Sequence, residues 1–129
     1  MTDRQRVLLI EDEPNIIEAI RFVLARDGWQ VSTHGEGRGA VEAVRDRAPD
    51  VVILDVMLPD RSGYDILQDL KGDPDLRALP VLMLTARGQT KEREMALRLG
   101  ADIFMVKPFS NAEMIEAVRD LARRPTETP

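Results

Sequence analysis

The sequence predicts an α/β domain, with a five-stranded parallel sheet covered on both faces by five helices in a doubly wound arrangement. Short apolar runs alternate along the chain with segments of helical periodicity, the pattern of repeated βα units. The length of 129 residues fits one domain. A domain of this size buries roughly two-thirds of its unfolded surface without cross-links. No cysteine is present, so neither a disulfide framework nor a thiolate metal site is available.

The first two units occupy the amino-terminal part of the chain. An apolar strand at 7–10 is followed by a helix for which Pro14 suits the first position and which Gly28 ends. Residues 29–34 predict a second strand, and its polar character favours an edge position. A glycine-rich turn at 35–39 then leads into a second helix, which stops before Pro49.

The other three units repeat this alternation. Their strands are predicted at 51–55, 81–85 and 101–106. Their helices are predicted after the turn at 57–63, at 90–99, and after a capping box formed by Ser110 and Glu113. Right-handed crossovers, with the polar second strand at one edge, favour the strand order 2-1-3-4-5. The order reverses between the first and third strands, where ligands bind in such sheets.

Four of the apolar runs end on residue types that phosphoryl chemistry uses. The run at 7–10 leads into Glu11, Asp12 and Glu13, and the run at 51–54 ends on Asp55. The fourth and fifth strands end on Thr85 and on Lys107. Because the carboxyl ends of parallel strands lie at one edge of the sheet, we expect these side chains to meet in one crevice.

Each group has a chemical role that suits such a crevice. A carboxylate can be a nucleophile toward phosphorus, and Asp55 is best placed for that role. Asp12 and Glu11 suit Mg²⁺, which prefers oxygen ligands and offsets charge on a phosphoryl group. Lys107 offers a fixed positive charge and Thr85 a hydroxyl donor. The bond between Lys107 and Pro108 is a candidate cis peptide.

Taken singly, these residues also have ordinary structural explanations. Acidic residues before a helix compensate its dipole, an Asp after a strand often forms a turn, a Thr often caps a helix, and most lysines are solvated. Glu13 fits the first of these explanations, and the single histidine, His34, is expected to have a surface role. The methionines at 83, 95, 105 and 114 are expected to fill the core or an interface. The coincidence of four signals at four equivalent strand ends favours a functional site.

The chain resembles the receiver domain of response regulators in two-component signalling, the CheY-like superfamily, from about residue 6 to residue 123. The resemblance lies in the motifs VLLIEDE at 7–13, VILDVMLPD at 52–60, SGYD at 62–65, VLMLTA at 81–86, GAD at 100–102 and VKPF at 106–109. It implies a receiver domain at 1–123 and a polar tail or linker stub at 124–129. It also implies the same flavodoxin-like sheet order as the residue patterns do.

The resemblance implies a role for each site residue. Asp55 is the phosphoacceptor, Asp12 binds Mg²⁺ directly, Glu11 acts through water, and the backbone carbonyl of Met57 completes the metal shell. Mn²⁺ is an expected substitute for Mg²⁺. By position, Thr85 is the switch hydroxyl, Lys107 contacts the phosphoryl group, and Phe104 is the switch aromatic. Met57 and Arg87 flank the phosphoryl site.

Partners follow from the same resemblance. A sensor histidine kinase or a histidine phosphotransfer protein would donate the phosphoryl group, and a downstream protein or a lost output domain would respond to it. A phosphorylation-dependent homodimer would use the face formed by the fourth helix, fifth strand and fifth helix. Ile103 and Ala117 stand where receivers with winged-helix output domains tend to carry an acid and an arginine. An ion-paired dimer is therefore not expected. Instead, Ile103 is expected to form part of an apolar patch on this face.

Other functional classes fit less well. The formal net charge of -5 argues against direct nucleic-acid binding. The apolar run at 7–10 is too short for a signal peptide or a membrane span, which favours the cytoplasm. A haloacid-dehalogenase-like phosphatase would carry a second Asp where Met57 stands. A flavodoxin-like cofactor binder would need a phosphate loop where the acidic residues 11–13 would repel phosphate.

Overall fold

The computed structural model describes residues 5–123, in which five strands and five helices alternate. The strands are β1 (Arg6–Ile10), β2 (Gln30–His34), β3 (Val51–Asp55), β4 (Val81–Thr85) and β5 (Ile103–Val106). The helices are α1 (Pro14–Arg26), α2 (Ala40–Arg47), α3 (Gly63–Gly72), α4 (Thr90–Arg98) and α5 (Asn111–Arg123). The tail predicted at 124–129 lies outside the described residues.

All neighbouring strands are parallel, and their order is β2-β1-β3-β4-β5. This order confirms the prediction. The side chains of β3 and β4 are buried throughout, and those of β1 are buried after Arg6. Strands β2 and β5 lie at the edges, and most of their side chains are only partly covered, whereas Phe104 of β5 is buried. The switch between β1 and β3 brings the ends of these two buried strands together.

The helices cover the two faces of the sheet in two layers. Helices α2, α3 and α4 pack on one face, where Leu8 and Leu54 belong to the core. Helices α1 and α5 pack on the other, where Leu9 and Ile53 belong to the core. Successive strand residues alternate between faces, so strands buried on both sides appear in the sequence as continuous apolar runs.

Local sequence signals account for most element boundaries. Pro14 opens α1. Ser110 and Glu113 form the expected capping box, in which each side chain accepts the other residue's backbone N–H. Strand β5 starts two residues later than predicted because of Asp102. The Asp102 N–H donates to the Val81 carbonyl at 2.9 Å, but the Val81 N–H donates at 2.8 Å to the Asp102 carboxylate and not to a backbone carbonyl.

Across residues 5–123, no helix has both the length and the apolar surface needed to cross a membrane.

Candidate functional site

Three carboxylates converge at the carboxyl ends of β1 and β3. Glu11 follows β1 and is fully buried, Asp55 ends β3 with 2% of its surface exposed, and Asp12 faces solvent. One oxygen from each of the three lies within 4.8 Å of the other two. Three oxygen ligands at this spacing are a donor set suited to a hard divalent cation. The structure thus brings Glu11, Asp12 and Asp55 together at one edge of the sheet, as their positions at the strand ends predicted.

Lys107 places an ammonium group between the two buried carboxylates. Its Nζ lies 3.2 Å from Glu11 Oε1 and 3.5 Å from Asp55 Oδ1. The Lys107 N–H donates to the Thr85 carbonyl at 2.8 Å, which continues the pairing of β4 and β5 to this point. The peptide bond to Pro108 is cis, as predicted. One cation thus faces two buried acids, leaving an excess of negative charge.

The electrostatic consequence appears at Glu11. Burial is the main cause that raises the pKa of Glu11 to about 7, and the neighbouring Asp55 carboxylate is the second. Two contacts oppose the rise: the Glu13 N–H, which donates to Glu11 Oε2 at 3.1 Å, and the Lys107 ammonium. A bound divalent cation would favour the ionised form of Glu11 and so lower its pKa.

Thr85 lies beside Asp55 on the neighbouring strand. Asp55 pairs in register with Leu84, so Thr85 is one residue further along β4. Its side chain is buried, and its hydroxyl oxygen accepts the Arg87 N–H at 3.0 Å. The hydroxyl proton is therefore available to an acceptor in the site.

The loop after β3 is shaped by a close approach of backbone to backbone. The Met57 N–H lies 3.3 Å from Asp55 Oδ1, and Met57 forms an isolated bridge with Ser62. Gly63 packs so closely that a Cβ there would lie 2.2 Å from the Asp55 carbonyl oxygen. Only glycine fits at this point, where α3 begins against the end of β3. The Met57 side chain is 63% exposed at the mouth of the site.

Phe104 lies inside the core between β5 and α4. It is 6% exposed, and the Arg93 guanidinium lies 6.0 Å from the centre of its ring. Apolar side chains are also exposed on this side of the molecule: Leu97 at 44% and Val106 at 38%. Ile103 is half-buried and packs against the core on the face covered by α1 and α5.

Glu13 and His34 lie outside the acid cluster. Glu13 is the residue before α1 and is exposed, and it contributes its backbone N–H to Glu11. His34 ends β2, and its Nε2 lies 2.6 Å from the Arg38 carbonyl oxygen. This ring therefore bonds to the following loop. Of the four methionines that were expected to fill the core or an interface, Met83 and Met114 are fully buried.

Sequence reasoning missed two features near the site. The Asp60 carboxylate joins two loops by accepting the backbone N–H groups of Gly37 and Arg38, although both loops were predicted only as turns. A cavity of about 420 Å³ beside Thr85 is lined in part by Tyr64 and Glu92. The Tyr64 hydroxyl and Glu92 Oε1 are buried there without a hydrogen-bond partner among residues 5–123. Burial and the nearby Glu92 charge raise the pKa of Tyr64.

Comparisons with known proteins agree with the fold. Residues 7–119 match the family model of the response regulator receiver domain. The chain is 43% identical over 118 residues to the "Probable transcriptional regulatory protein TcrX" of Mycobacterium tuberculosis, covering 92% of this chain and 50% of that protein. It is 38% identical over 128 residues to the DNA-binding response regulator MtrA of Mycolicibacterium smegmatis, covering 99% and 55%. The chain thus spans about half the length of these curated relatives.

Among solved structures, the chain is similar to the signal receiver domain of a signal transduction histidine kinase from Syntrophus aciditrophicus. The TM-score is 0.84 at 32% sequence identity, and the match covers 97% of this chain and 98% of that one. Both the sequence family and the three-dimensional fold therefore lead to one assignment. The chain belongs to the response regulator receiver domain family of two-component signalling.

Proposed function

We propose that this receiver domain accepts a phosphoryl group on Asp55 in the presence of Mg²⁺ and thereby switches a partner-binding face. The observation that carries the proposal is the buried acid cluster of Glu11, Asp12 and Asp55 with the Lys107 ammonium beside it. The phosphodonor is a histidine kinase or a histidine phosphotransfer protein. The response reaches a downstream protein or an output domain, the latter being consistent with relatives about twice as long.

The residues present fit a divalent cation. Asp12 and Asp55 would hold it directly with the Met57 carbonyl, and Glu11 would act through water. When bound, Mg²⁺ or Mn²⁺ supplies positive charge that offsets the charge on the phosphoryl oxygens. Burial and the neighbouring Asp55 carboxylate raise the pKa of Glu11, so a bound cation would favour the ionised form of this side chain.

In the transfer step, an Asp55 carboxylate oxygen forms a bond to phosphorus while the phosphorus–nitrogen bond of the donor phosphohistidine breaks. The electron pair of that bond stays on the imidazole nitrogen, which takes up a proton. Lys107 binds the transferred phosphoryl group through its ammonium group. A water molecule later hydrolyses the aspartyl phosphate and restores the carboxylate.

The added charge gives Thr85 a new acceptor for its hydroxyl proton. A shift of Thr85 toward the phosphoryl group alters the packing around Phe104, which is already buried next to Arg93. The face formed by α4, β5 and α5 changes as a result. Phe104 has no phenolic hydroxyl, so the signal depends on the packing of its ring.

Labelling with a small phosphodonor tests this function. Wild-type protein incubated with Mg²⁺ should gain one phosphoryl group in an acid-stable, base-labile form, and Asp55→Asn should gain none. Asp50→Asn is the matched control, because Asp50 lies just before the opposite end of β3, and it should label like wild type. Equal labelling of Asp55→Asn would overturn the proposal, as would steady phosphate release from a range of monoesters.

A second copy of the chain is the proposed partner of the apolar part of the switching face. Leu97 and Val106 are exposed there, so any dimer would depend on apolar contact more than on ion pairs. Size-exclusion chromatography with and without a beryllofluoride phosphoryl mimic measures whether the dimer forms. Earlier elution with the mimic, lost in Leu97→Ser, is expected; unchanged elution would contradict phosphorylation-driven dimerisation.

A further inference from the structure

Asp60 joins two loops that border the acid cluster. It lies in the loop between β3 and α3, and its carboxylate reaches the loop between β2 and α2. Asp60 Oδ1 accepts the Gly37 N–H at 2.7 Å, and Oδ2 accepts the Arg38 N–H at 2.8 Å. Both oxygens of one carboxylate are thus used on consecutive amides. We call this contact the Asp60 clasp.

The two loops meet closely at the clasp. Gly37 is buried, and a Cβ at this position would lie 2.4 Å from Arg61 Cβ and 3.0 Å from Asp60 Oδ1. A side chain on residue 37 would therefore push its loop away from Asp60. Both hydrogen bonds depend on glycine at this position.

The β2–α2 loop is in turn tied to the segment that carries Glu11. The Glu11 N–H donates to the His34 carbonyl at 3.1 Å, and the His34 ring bonds to the Arg38 carbonyl at 2.6 Å. Loop 35–39 is thereby anchored at both of its ends by contacts involving His34. The clasp holds this anchored loop.

The β3–α3 loop, on the other side of the clasp, contains Met57. The base of this loop is closed by the Gly63 N–H, which donates to the Val56 carbonyl at 2.8 Å, and by the bridge between Met57 and Ser62. At the tip of this loop, the Asp60 clasp connects it to the β2–α2 loop. Met57 thus lies in a loop that is held by contacts at both its base and its tip.

We propose that Asp60 is a positioning residue for the divalent cation, because its two hydrogen bonds fix the loop bearing the Met57 carbonyl relative to Glu11 and Asp12. Asp60 touches neither the cation nor the phosphoryl group. This inference rests on the proposed function, since it concerns the cation that the phosphotransfer uses. Partners that orient metal ligands contribute strongly to metal affinity in proteins.

Titration calorimetry with Mg²⁺ alone tests the proposal. Asp60→Ala should raise the dissociation constant about tenfold, and Asp60→Asn, which keeps one oxygen acceptor, should raise it less. Gly37→Ala should raise it as well, because it separates the same two loops by steric contact. The effects of Asp60→Ala and Gly37→Ala should not add in the double variant, because both remove one contact.

A second readout separates positioning from general loss of structure. At saturating Mg²⁺, Asp60→Ala should be phosphorylated at the wild-type rate, so that the half-saturating Mg²⁺ concentration changes and the maximal rate does not. Amide hydrogen exchange should speed up at Gly37 and Arg38. The circular dichroism spectrum of Asp60→Ala should match that of wild type, which would show that the fold is unchanged.

Asp50→Ala provides a matched control. Asp50 accepts the Arg6 N–H at 2.9 Å near the opposite end of the sheet, so its loss removes a similar hydrogen bond far from the site. Its Mg²⁺ affinity should equal that of wild type. If wild type binds Mg²⁺ and Asp60→Ala binds it equally well, the positioning role is wrong while the proposed function stands. If wild type neither binds Mg²⁺ nor accepts phosphate, the proposed function fails and the positioning role fails with it.

Discussion

Glu11 is the residue at which folding and the proposed function conflict most directly. Its side chain is fully buried beside Asp55, and these two causes raise its pKa to about 7. A buried carboxyl group of this kind is more stable protonated than ionised unless additional positive charge is present. The same proximity of acids that destabilises the ionised apo protein creates the candidate cation site.

Replacing Glu11 by Gln should remove a pH-dependent cost to folding. The folded-state pKa of about 7 lies above the unfolded-state value, so ionisation destabilises the folded protein, and stability falls as pH rises from 4.5 through 7. The difference amounts to roughly 3 kcal/mol at full ionisation. Urea unfolding of both proteins from pH 5 to pH 8 in a chelator measures it. The advantage of Glu11→Gln should grow with pH, and parallel pH profiles would contradict the expectation.

Lys107 offsets part of this cost, so its removal should have the opposite effect. Lys107→Met keeps the aliphatic stem but takes the ammonium from between Glu11 and Asp55. We expect a loss of about 3 kcal/mol in the free energy of unfolding, because buried carboxylates are left without their cation. The loss should be larger at pH 8 than at pH 5.5, where Glu11 is protonated. Lys91→Met, at an exposed position of α4, should change stability little, and equal losses in the two variants would refute the explanation.

At the scale of elements, local patterns were sufficient to predict all five strands and five helices. Pro14 and the Ser110–Glu113 capping box mark helix starts through contacts within a few residues, which is why they are visible in the sequence. The start of β5 was predicted two residues too early, because one of the two hydrogen bonds between Asp102 and Val81, 21 positions away, is made by the Asp102 side chain and not by the backbone. The Asp60 clasp was missed for the same reason, since its partners are 22 and 23 positions distant.

The start of α3 is the element boundary with the strictest steric requirement. Gly63→Ala would place a Cβ 2.2 Å from the Asp55 carbonyl oxygen and 2.9 Å from Val56 Cα. These are backbone atoms of buried chain, so α3 or the end of β3 must shift. We expect a loss of at least about 2 kcal/mol in unfolding free energy and slower labelling of Asp55.

Gly72→Ala is the control at the other end of α3. A Cβ there meets no atom within 4 Å, so the substitution should be neutral or stabilise the helix by about 0.5 kcal/mol. Thermal and urea unfolding of the two variants provides the comparison. A Gly63→Ala protein as stable as Gly72→Ala would show that the β3–α3 junction is less constrained than its geometry indicates.

At the scale of the whole molecule, the acid cluster lies at one end of a sheet whose interior is apolar on both faces. Helices α1 and α5 cover one face. Asp27, the residue after α1, forms an ion pair with Arg119 of α5 away from the cluster, and its side chain also accepts the Trp29 indole N–H. Hydrogen bonds from Arg119 lower the pKa of Asp27. A ligand bound at the cluster acts on global stability because it binds only the folded chain.

Mg²⁺ should therefore raise the stability of the entire domain, and by more at high pH than at low pH. Binding to the folded state alone stabilises by about 2.7 kcal/mol when free Mg²⁺ is roughly one hundred times its dissociation constant. Protons compete at Glu11, whose pKa is about 7, so the stabilisation at pH 8 should exceed that at pH 6.

Arg119→Ala, which breaks the ion pair between α5 and Asp27, should lower the baseline stability slightly and leave the Mg²⁺ increment unchanged. Asp12→Asn should reduce the increment without lowering the baseline, because Asp12 is exposed and belongs to the cluster. Thermal unfolding of the three proteins across a Mg²⁺ series measures both quantities, and a wild-type transition at pH 8 that does not move with Mg²⁺ would rule out a cation site at these carboxylates.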